Sequence, residues 1–273
     1  MEIQKISLND PCFGQKLLHS FRQTGFAILT DHKVNLEQLK EFYVEWQEFF
    51  NSEMRKKVYL YGADHSGFFP MDSEKAKGAT VADLKEFFHY YPSIVQDPMI
   101  GLSGDIFDML NSTAVSVLIE LELALPKEVR DVYSEPLSSM ITGSKKTLLR
   151  ILHYPPVEDV PQGAVRAAEH EDINLITILP GATEMGLEVK AADGTWIPVK
   201  AGTDDLVVNV GDMLQEATKG YLKSTPHRVV NVGMNKSRLS APLFLHPRPD
   251  VVLSEKYTAG SYLQERLEQL GLA

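Results

Sequence analysis

The stretch AAEHEDINLITILPG, residues 167–181, places a histidine and three acids directly ahead of an apolar run that closes at Pro180-Gly181. The run reads as a core strand, and it has company. From about residue 146 onward LLRILHY, INLITIL, GLEVK, TWIPV, DLVVNV, HRVVNV and RLSAPLFL follow one another, separated by Gly, Pro, Asn and Asp. Short β-rich runs at this density, with few helical segments between them, predict an all-β sandwich, jelly roll or barrel. Asp193-Gly194, between GLEVK and TWIPV, is a hairpin signal.

Upstream the apolar period changes. From residue 10 to about 135 it is mostly helical: Asp10-Pro11 reads as a cap and first-turn pair ahead of Phe13, Leu17, Leu18 and Phe21, and Asn35 opens NLEQLKEFYVEWQEFFN. One early strand, GFAILT at 25–30, interrupts the helices. A less regular aromatic segment with YGADHSGFFP and KEFFHYYP follows, then a helix from about Asp105 to Leu125 that stops before Pro126. The tail SYLQERLEQLGLA returns to helical spacing through Leu263, Leu267 and Leu270. The expected architecture is mainly β with a helical N-terminal part, an α+β chain. Residues 1–135 form a helical region with one early strand, packed on a β core with a C-terminal helix at 136–273, the two making one compact unit.

With 273 residues and 44% hydrophobic content the chain can bury a substantial core. Its net charge of −10 repels phosphate backbones, which argues against a nucleic-acid partner. The single cysteine, Cys12, excludes an intramolecular disulfide and a cysteine-based zinc cluster and suits a reducing compartment. MEIQKISLND lacks the pattern of a secretory leader, and no apolar run approaches a membrane span. The expectation is a cytoplasmic enzyme or binding protein with no membrane partner; nothing in the sequence specifies an oligomeric state.

On an extended chain His170 and Asp172 point to one face while Glu171 points away. The pair alone is a weak signal, because an exposed histidine among solvated acids has the same pattern. His227, in KSTPHRVVNV, begins another apolar strand after a proline, and a closed β core can bring the two strand ends together. Two imidazoles and one carboxylate on one face of an octahedron suit the non-haem Fe(II) of oxygenases. The same trio can bind zinc with an open position for water. Eleven residues after His227, Arg238 and Ser240 share one face of RLSAPLFL. An inward arginine in an apolar strand needs an anion. Either a protein carboxylate supplies it, or a small dicarboxylate does, held by the guanidinium with one further hydrogen bond from Ser240. His19, His32, His65, His89 and His246 read as surface or packing residues, Asp212 as a turn residue and Arg228 as structural.

His170-x-Asp172, His227 and Arg238-x-Ser240, together with HYP at 153–155 and NVGDML at 209–214, resemble the iron(II)/2-oxoglutarate-dependent dioxygenases, in the branch of isopenicillin N synthase. GFAILTDHKV is similar to that family's early strand and turn, and EFFNSEMRKKVY to the helix pair that follows. The resemblance implies a double-stranded β-helix, a distorted jelly roll, with the metal near one open end. It implies His170, Asp172 and His227 as ligands of a catalytic Fe(II), and 2-oxoglutarate as a cosubstrate held by Arg238, Ser240 and Tyr154. O2 is then the oxidant, and a small-molecule substrate is hydroxylated, desaturated or ring-closed with release of succinate and CO2. In the same layout GFFP at 67–70, EFFHYYP at 86–92 and the C-terminal helix approach the metal mouth. Many relatives carry Asn-Tyr-Tyr-Pro where this chain has Leu152-His153-Tyr154-Pro155, so the asparagine contact to the cosubstrate is absent and His153 becomes a supporting or packing residue. The alternatives are an Fe(II)/O2 oxidase of the same branch that does not use 2-oxoglutarate, a zinc hydrolase on the same trio, and a non-catalytic small-ligand binding protein.

Overall fold

The structure, a computed structural model, describes residues 2–62, 64–71, 73, 83–95, 101–156, 165–230 and 235–270. Helix α1 (Phe13–Thr24) buries Phe13, Leu17, Leu18 and Phe21 along one face. It opens later than Asp10-Pro11 suggests. Asp10 Oδ1 accepts from the Cys12 N–H at 2.8 Å, which spends the carboxylate on a turn and leaves Cys12 at the cap without a side-chain bond. The helix closes on Gly25, whose left-handed backbone (φ 71°) lets its N–H reach Phe21 O at 2.9 Å.

Helix α2 (Leu36–Phe50) is capped by Asn35, whose side chain accepts from the Glu37 and Gln38 N–H groups, and α3 (Glu53–Val58) follows directly. The long α4 (Ser103–Ala124) ends one residue before Leu125-Pro126 and buries Ile106, Leu110, Ala114, Val117, Leu118 and Leu121 completely. Short α5 (Lys127–Arg130) and α6 (Leu137–Ile141) lead into the β core.

Nine strands form the larger sheet, in the order β1 (Lys5–Ser7), β2 (Phe26–Thr30), β10 (Leu206–Val210), β7 (Ile176–Pro180), β13 (Leu243–Leu245), β5 (Leu148–Tyr154), β4 (Glu86–Tyr90) and β3 (Gly67–Phe69), with β12 (Arg238–Ser240) also on β5. Four strands form the smaller one: β6 (Ala167–His170), β11 (His227–Val229), β8 (Leu187–Lys190) and β9 (Trp196–Pro198). Ile28, Val207 and Leu179 of the larger sheet share an apolar cluster with Val189, Ile197 and Val199 from the smaller-sheet side, so the two sheets face each other as in a jelly roll. The α7 helix (Asp212–Ala217) and the C-terminal α8 (Ala259–Leu270) complete the fold.

Two expectations need correction. The aromatic segments read as irregular are strands β3 and β4, so the first 135 residues supply four strands rather than one. Their pattern is masked because both faces of β4 are buried, Phe88 toward the helices and Phe87 toward the sheet interior, which removes the polar alternation that marks a half-exposed strand. Asp212 is the first residue of α7, with Gly211 at the cap, rather than a turn residue. The Asp193-Gly194 hairpin does form: Gly194 has φ 85° and Asp193 Oδ1 accepts from the Thr195 N–H at 2.9 Å. Among the described residues no helix is long and apolar enough to cross a membrane.

Candidate active site

The pairing of β6 with β11 sets His170 directly opposite His227, and their ring centroids lie 4.4 Å apart. Strand β6 ends at His170, so Asp172 arrives by a turn and not by strand alternation. That turn is pinned from the β10–α7 connection: the Asp212 N–H donates to Asp172 O at 2.7 Å and the Met213 N–H to Asn174 O at 3.0 Å. Gly211 permits the close approach, since a Cβ there would stand 2.1 Å from Asn174 O. One ligand atom from each of His170, Asp172 and His227 lies within 4.8 Å of the others. Asp172 Oδ1 is 3.6 Å from His227 Nε2 and 3.9 Å from His170 Nε2.

The atoms that do not converge are all bonded. His170 Nδ1 meets Ala168 O at 2.8 Å and His227 Nδ1 meets Thr225 O at 3.1 Å. A carbonyl only accepts, so each Nδ1 carries a proton, which in a neutral ring leaves Nε2 with the lone pair. Asp172 Oδ2 accepts from Thr177 Oγ1 at 2.6 Å and Asn209 Nδ2 at 2.8 Å, while Asn174 Nδ2 donates onward to Thr177 Oγ1. Burial by itself would raise the Asp172 carboxyl, but the two imidazoles and these hydrogen bonds outweigh it and hold the group below the ordinary carboxylate range. His170 is held down to about 4, first by loss of hydration on its packed side and then by the neighbouring His227. Its outer edge stays open, the side chain being 43% exposed, whereas Asp172 and His227 are buried. Two neutral imidazoles and an ionised carboxylate are the protonation states that a divalent metal requires.

Arg238 and Ser240 lie on β12, both buried, with Arg238 paired in register to Tyr154 of β5 and its guanidinium 4.9 Å from that ring. Arg238 Nε donates to Glu184 O at 3.0 Å, and its buried Nη1 has no hydrogen-bond partner. No carboxylate among the described residues pairs with it. A buried cation with an unmatched donor is costly, and an incoming carboxylate relieves that cost. Arg166 is also fully buried and stands 5.8 Å from the same Tyr154 ring, donating to Lys236 O.

His153 lies on the face of β5 opposite to Leu152 and Tyr154. It stacks on Phe50 at 4.9 Å and bonds Glu86 Oε1 at 2.7 Å and Ser237 Oγ at 2.9 Å. Glu86 also holds Lys56 at 3.1 Å, and Ser237 donates to Gln47 Oε1 at 2.8 Å, so α2 and α3 are tied to the residue preceding Arg238. Arg228 pairs with Glu188 and covers Trp196, and Glu169 pairs with Lys190. Asp212 receives Tyr262 and Arg266 of α8, each at 3.3 Å, which brings that helix against the residue after the Gly211 pivot. Burial raises the carboxyls of Asp212 and Glu171; the charge of Asp212 adds to the rise at Glu171, and that of Asp172 to the rise at Asp212. Sequence reasoning missed Asn174, Thr177 and Asn209. Their signal was present as polar residues within or beside apolar runs, Asn174 and Thr177 in INLITIL and Asn209 in DLVVNV.

Residues 145–247 match the sequence profile of the 2OG-Fe(II) oxygenase superfamily, and residues 3–104 match that of the non-haem dioxygenase in morphine synthesis N-terminal region. The crystal structure of a candidate oxygenase from Shewanella oneidensis is 47% identical, with 100% of both chains covered and a TM-score of 0.89. That of a candidate 2OG-Fe(II) oxygenase family protein from Caulobacter crescentus is 30% identical, with 98% of each chain covered and a TM-score of 0.80. A proline hydroxylase of Petromyces alliaceus is 28% identical, over 98% of this chain and 99% of its own.

Proposed function

The chain belongs to the 2OG-Fe(II) oxygenase superfamily, and from that premise we propose that His170, Asp172 and His227 hold the iron and that Arg238, Ser240 and Tyr154 hold 2-oxoglutarate. The protein is an oxidoreductase that uses Fe(II), 2-oxoglutarate and O2 to oxidise a small molecule. One observation carries the residue assignment: the only polar side-chain atoms of the three ligand residues left unbonded are the three that converge. This donor set fits the metal, because two imidazoles and one carboxylate on one side leave positions for a chelating cosubstrate and for O2.

When bound, the iron with its cosubstrate supplies the oxidising chemistry: 2-oxoglutarate, O2 and substrate yield succinate, CO2 and oxidised product. Everything else falls to the chain. Ala168 and Thr225 carbonyls fix both imidazole tautomers, and Thr177 with Asn209 orients the carboxylate. Arg238 offers its open Nη1 to the far carboxylate of 2-oxoglutarate, with hydroxyls from Ser240 and Tyr154 beside it. Leu152 in the place of the family asparagine shifts the work of holding that anion onto Arg238. His153, through Ser237, positions the arginine by joining its strand to the helices. The open arginine donor favours this reading over an oxidase of the same branch that dispenses with 2-oxoglutarate. We assign the chain to the isopenicillin N synthase-like branch on its motif order, and to a reducing cytoplasm without a nucleic-acid partner on its single cysteine and charge of −10. The parts expected at 1–135 and 136–273 act as one unit, since β1–β4 enter the same sheet as β5 and β10.

The test is anaerobic. Adding Fe(II) and then 2-oxoglutarate should produce the weak visible charge-transfer band of the chelate, and admitting air should produce succinate. Absence of both would refute the assignment.

A further inference from the structure

A large cleft lies apart from the site described above. It measures about 1020 Å³ and runs between the end of α1, α5, the turn that joins β8 to β9, and the segment 218–226. None of His170, Asp172, His227 and Arg238 lines it. Its charged lining is Arg22, Lys190, Lys219 and Lys223 against the single carboxylate of Glu128. That is four cations to one anion, in a chain with 27 basic and 37 acidic residues, so the cleft runs against the charge of the molecule that carries it. Lys190 is held by Glu169 at 2.7 Å. Arg22, Lys219 and Lys223 are exposed, and among the described residues no carboxylate pairs with any of them. Like charges gathered on one concave surface repel each other and draw anions.

Two of these cations are set in place by the fold. The Arg22 guanidinium lies over the Tyr221 ring at 4.1 Å, which reduces the side-chain freedom it loses on gripping a ligand. Lys219 has a left-handed backbone, φ 49°, and closes α7 together with Gly220 at φ 77°. A side chain is strained there relative to glycine. The bonds that form the turn, Lys219 N–H to Glu216 O at 3.0 Å and Gly220 N–H to Gln215 O at 2.8 Å, belong to the main chain, and glycine would make them equally well. What lysine adds at that place is its ammonium. Val129, Val132, Ala191 and Ala192 supply apolar lining to the same cleft. Its volume is at the upper end of the roughly 300–1,000 Å³ that holds small organic ligands, and far more than a bare inorganic anion fills. A phosphate monoester brings about −1.5 to −2 charges on one group, which matches three cations better than a single carboxylate does.

We propose that this cleft binds a phosphorylated small organic molecule, with Arg22, Lys219 and Lys223 on its phosphate and the valine and alanine lining against its organic body. The site is separate from that of iron and 2-oxoglutarate, and it does not depend on the oxygenase reading.

Calorimetry on the anaerobic protein, with and without Fe(II) and saturating 2-oxoglutarate, tests the site with AMP and ribose 5-phosphate against adenosine and ribose. An ionic strength of about 0.15 M screens non-specific attraction between distant charges. AMP and ribose 5-phosphate should bind with one-to-one stoichiometry, equally well in the presence and absence of Fe(II) and 2-oxoglutarate, and the unphosphorylated pair should not bind. The double variant Lys219→Gln with Lys223→Gln should weaken AMP by about 5- to 30-fold, and Arg22→Gln by about 5-fold, the scale of exposed charge pairs. Lys219→Gly separates binding from folding: it relaxes the left-handed residue, so the variant should melt no lower than the parent protein and yet bind AMP more weakly. Absence of binding by both phosphates, equal binding by their unphosphorylated counterparts, undiminished binding in these variants, or loss of AMP when Fe(II) and 2-oxoglutarate are added would overturn the proposal.

Discussion

The metal triad and the β4–β5–β12 face differ in their state of hydrogen bonding. Where the smaller sheet ends, each triad residue has its non-converging polar atom tied to a neighbour: Nδ1 of both histidines to carbonyls, Asp172 Oδ2 to Thr177 and Asn209. On the β4–β5–β12 face, Arg238 keeps a buried N–H without a partner. The first region is preset and needs only a cation at its centre. The second is completed by its ligand. The difference teaches that metal affinity here is built into the folded chain, whereas anion affinity is gained by relieving an unmet donor.

The sharpest way to break this contrast is Asp172→Ala, which removes the only anionic ligand. Iron retained after dialysis should fall by more than about 100-fold, because loss of mere supporting contacts already costs 10- to 100-fold. Next in size, Arg238→Ala should weaken 2-oxoglutarate by about 10- to 150-fold in anaerobic titration, the worth of one charge-assisted bond through Nη1, while iron content stays unchanged. Loss of iron in that variant would show that the two regions are not separable. A smaller effect is expected for Asn209→Ala. Thr177 still holds Asp172 Oδ2, so iron affinity should drop about 10-fold with 2-oxoglutarate binding to the remaining holoenzyme intact.

The smallest effect concerns pH. Burial holds His246 down to about 4, below its ordinary 6.5, so the unfolded chain takes up its proton first as pH falls. The stability contribution is therefore present above about pH 6.5 and is lost as pH falls toward 4, with a slope of at most about 1.4 kcal/mol per pH unit. His246→Gln should flatten the denaturant midpoint of the metal-free protein across that window by one proton's worth. The slope that remains then includes His170, whose pKa is depressed to a similar value within the triad.

Much of the site was legible because its residues sit where strand periodicity speaks. His227 opens β11 directly after Pro226, and Arg238 and Ser240 alternate on β12. The alternation argument failed at Asp172, since β6 ends at His170 and a turn held by Asp212 and Asn174 does the positioning. No local pattern announces that turn. The β3 and β4 strands were hidden for another reason: a strand buried on both faces shows no polar alternation, and Phe-rich segments fit a helix face or a core equally well.

By itself the sequence determined the donor types and their order along the chain: two imidazoles, a carboxylate and a guanidinium, each at or near the start or end of an apolar run whose period marks a strand. Tertiary structure alone decided which atoms of those side chains remain unbonded, and that Asp83 joins the segment before β4 to β6. The reason is physical. Residue type and period are properties of neighbours within a few positions, whereas hydrogen-bond satisfaction is set by partners such as Asn209, 37 residues from Asp172, and Ala168, 85 residues from Asp83.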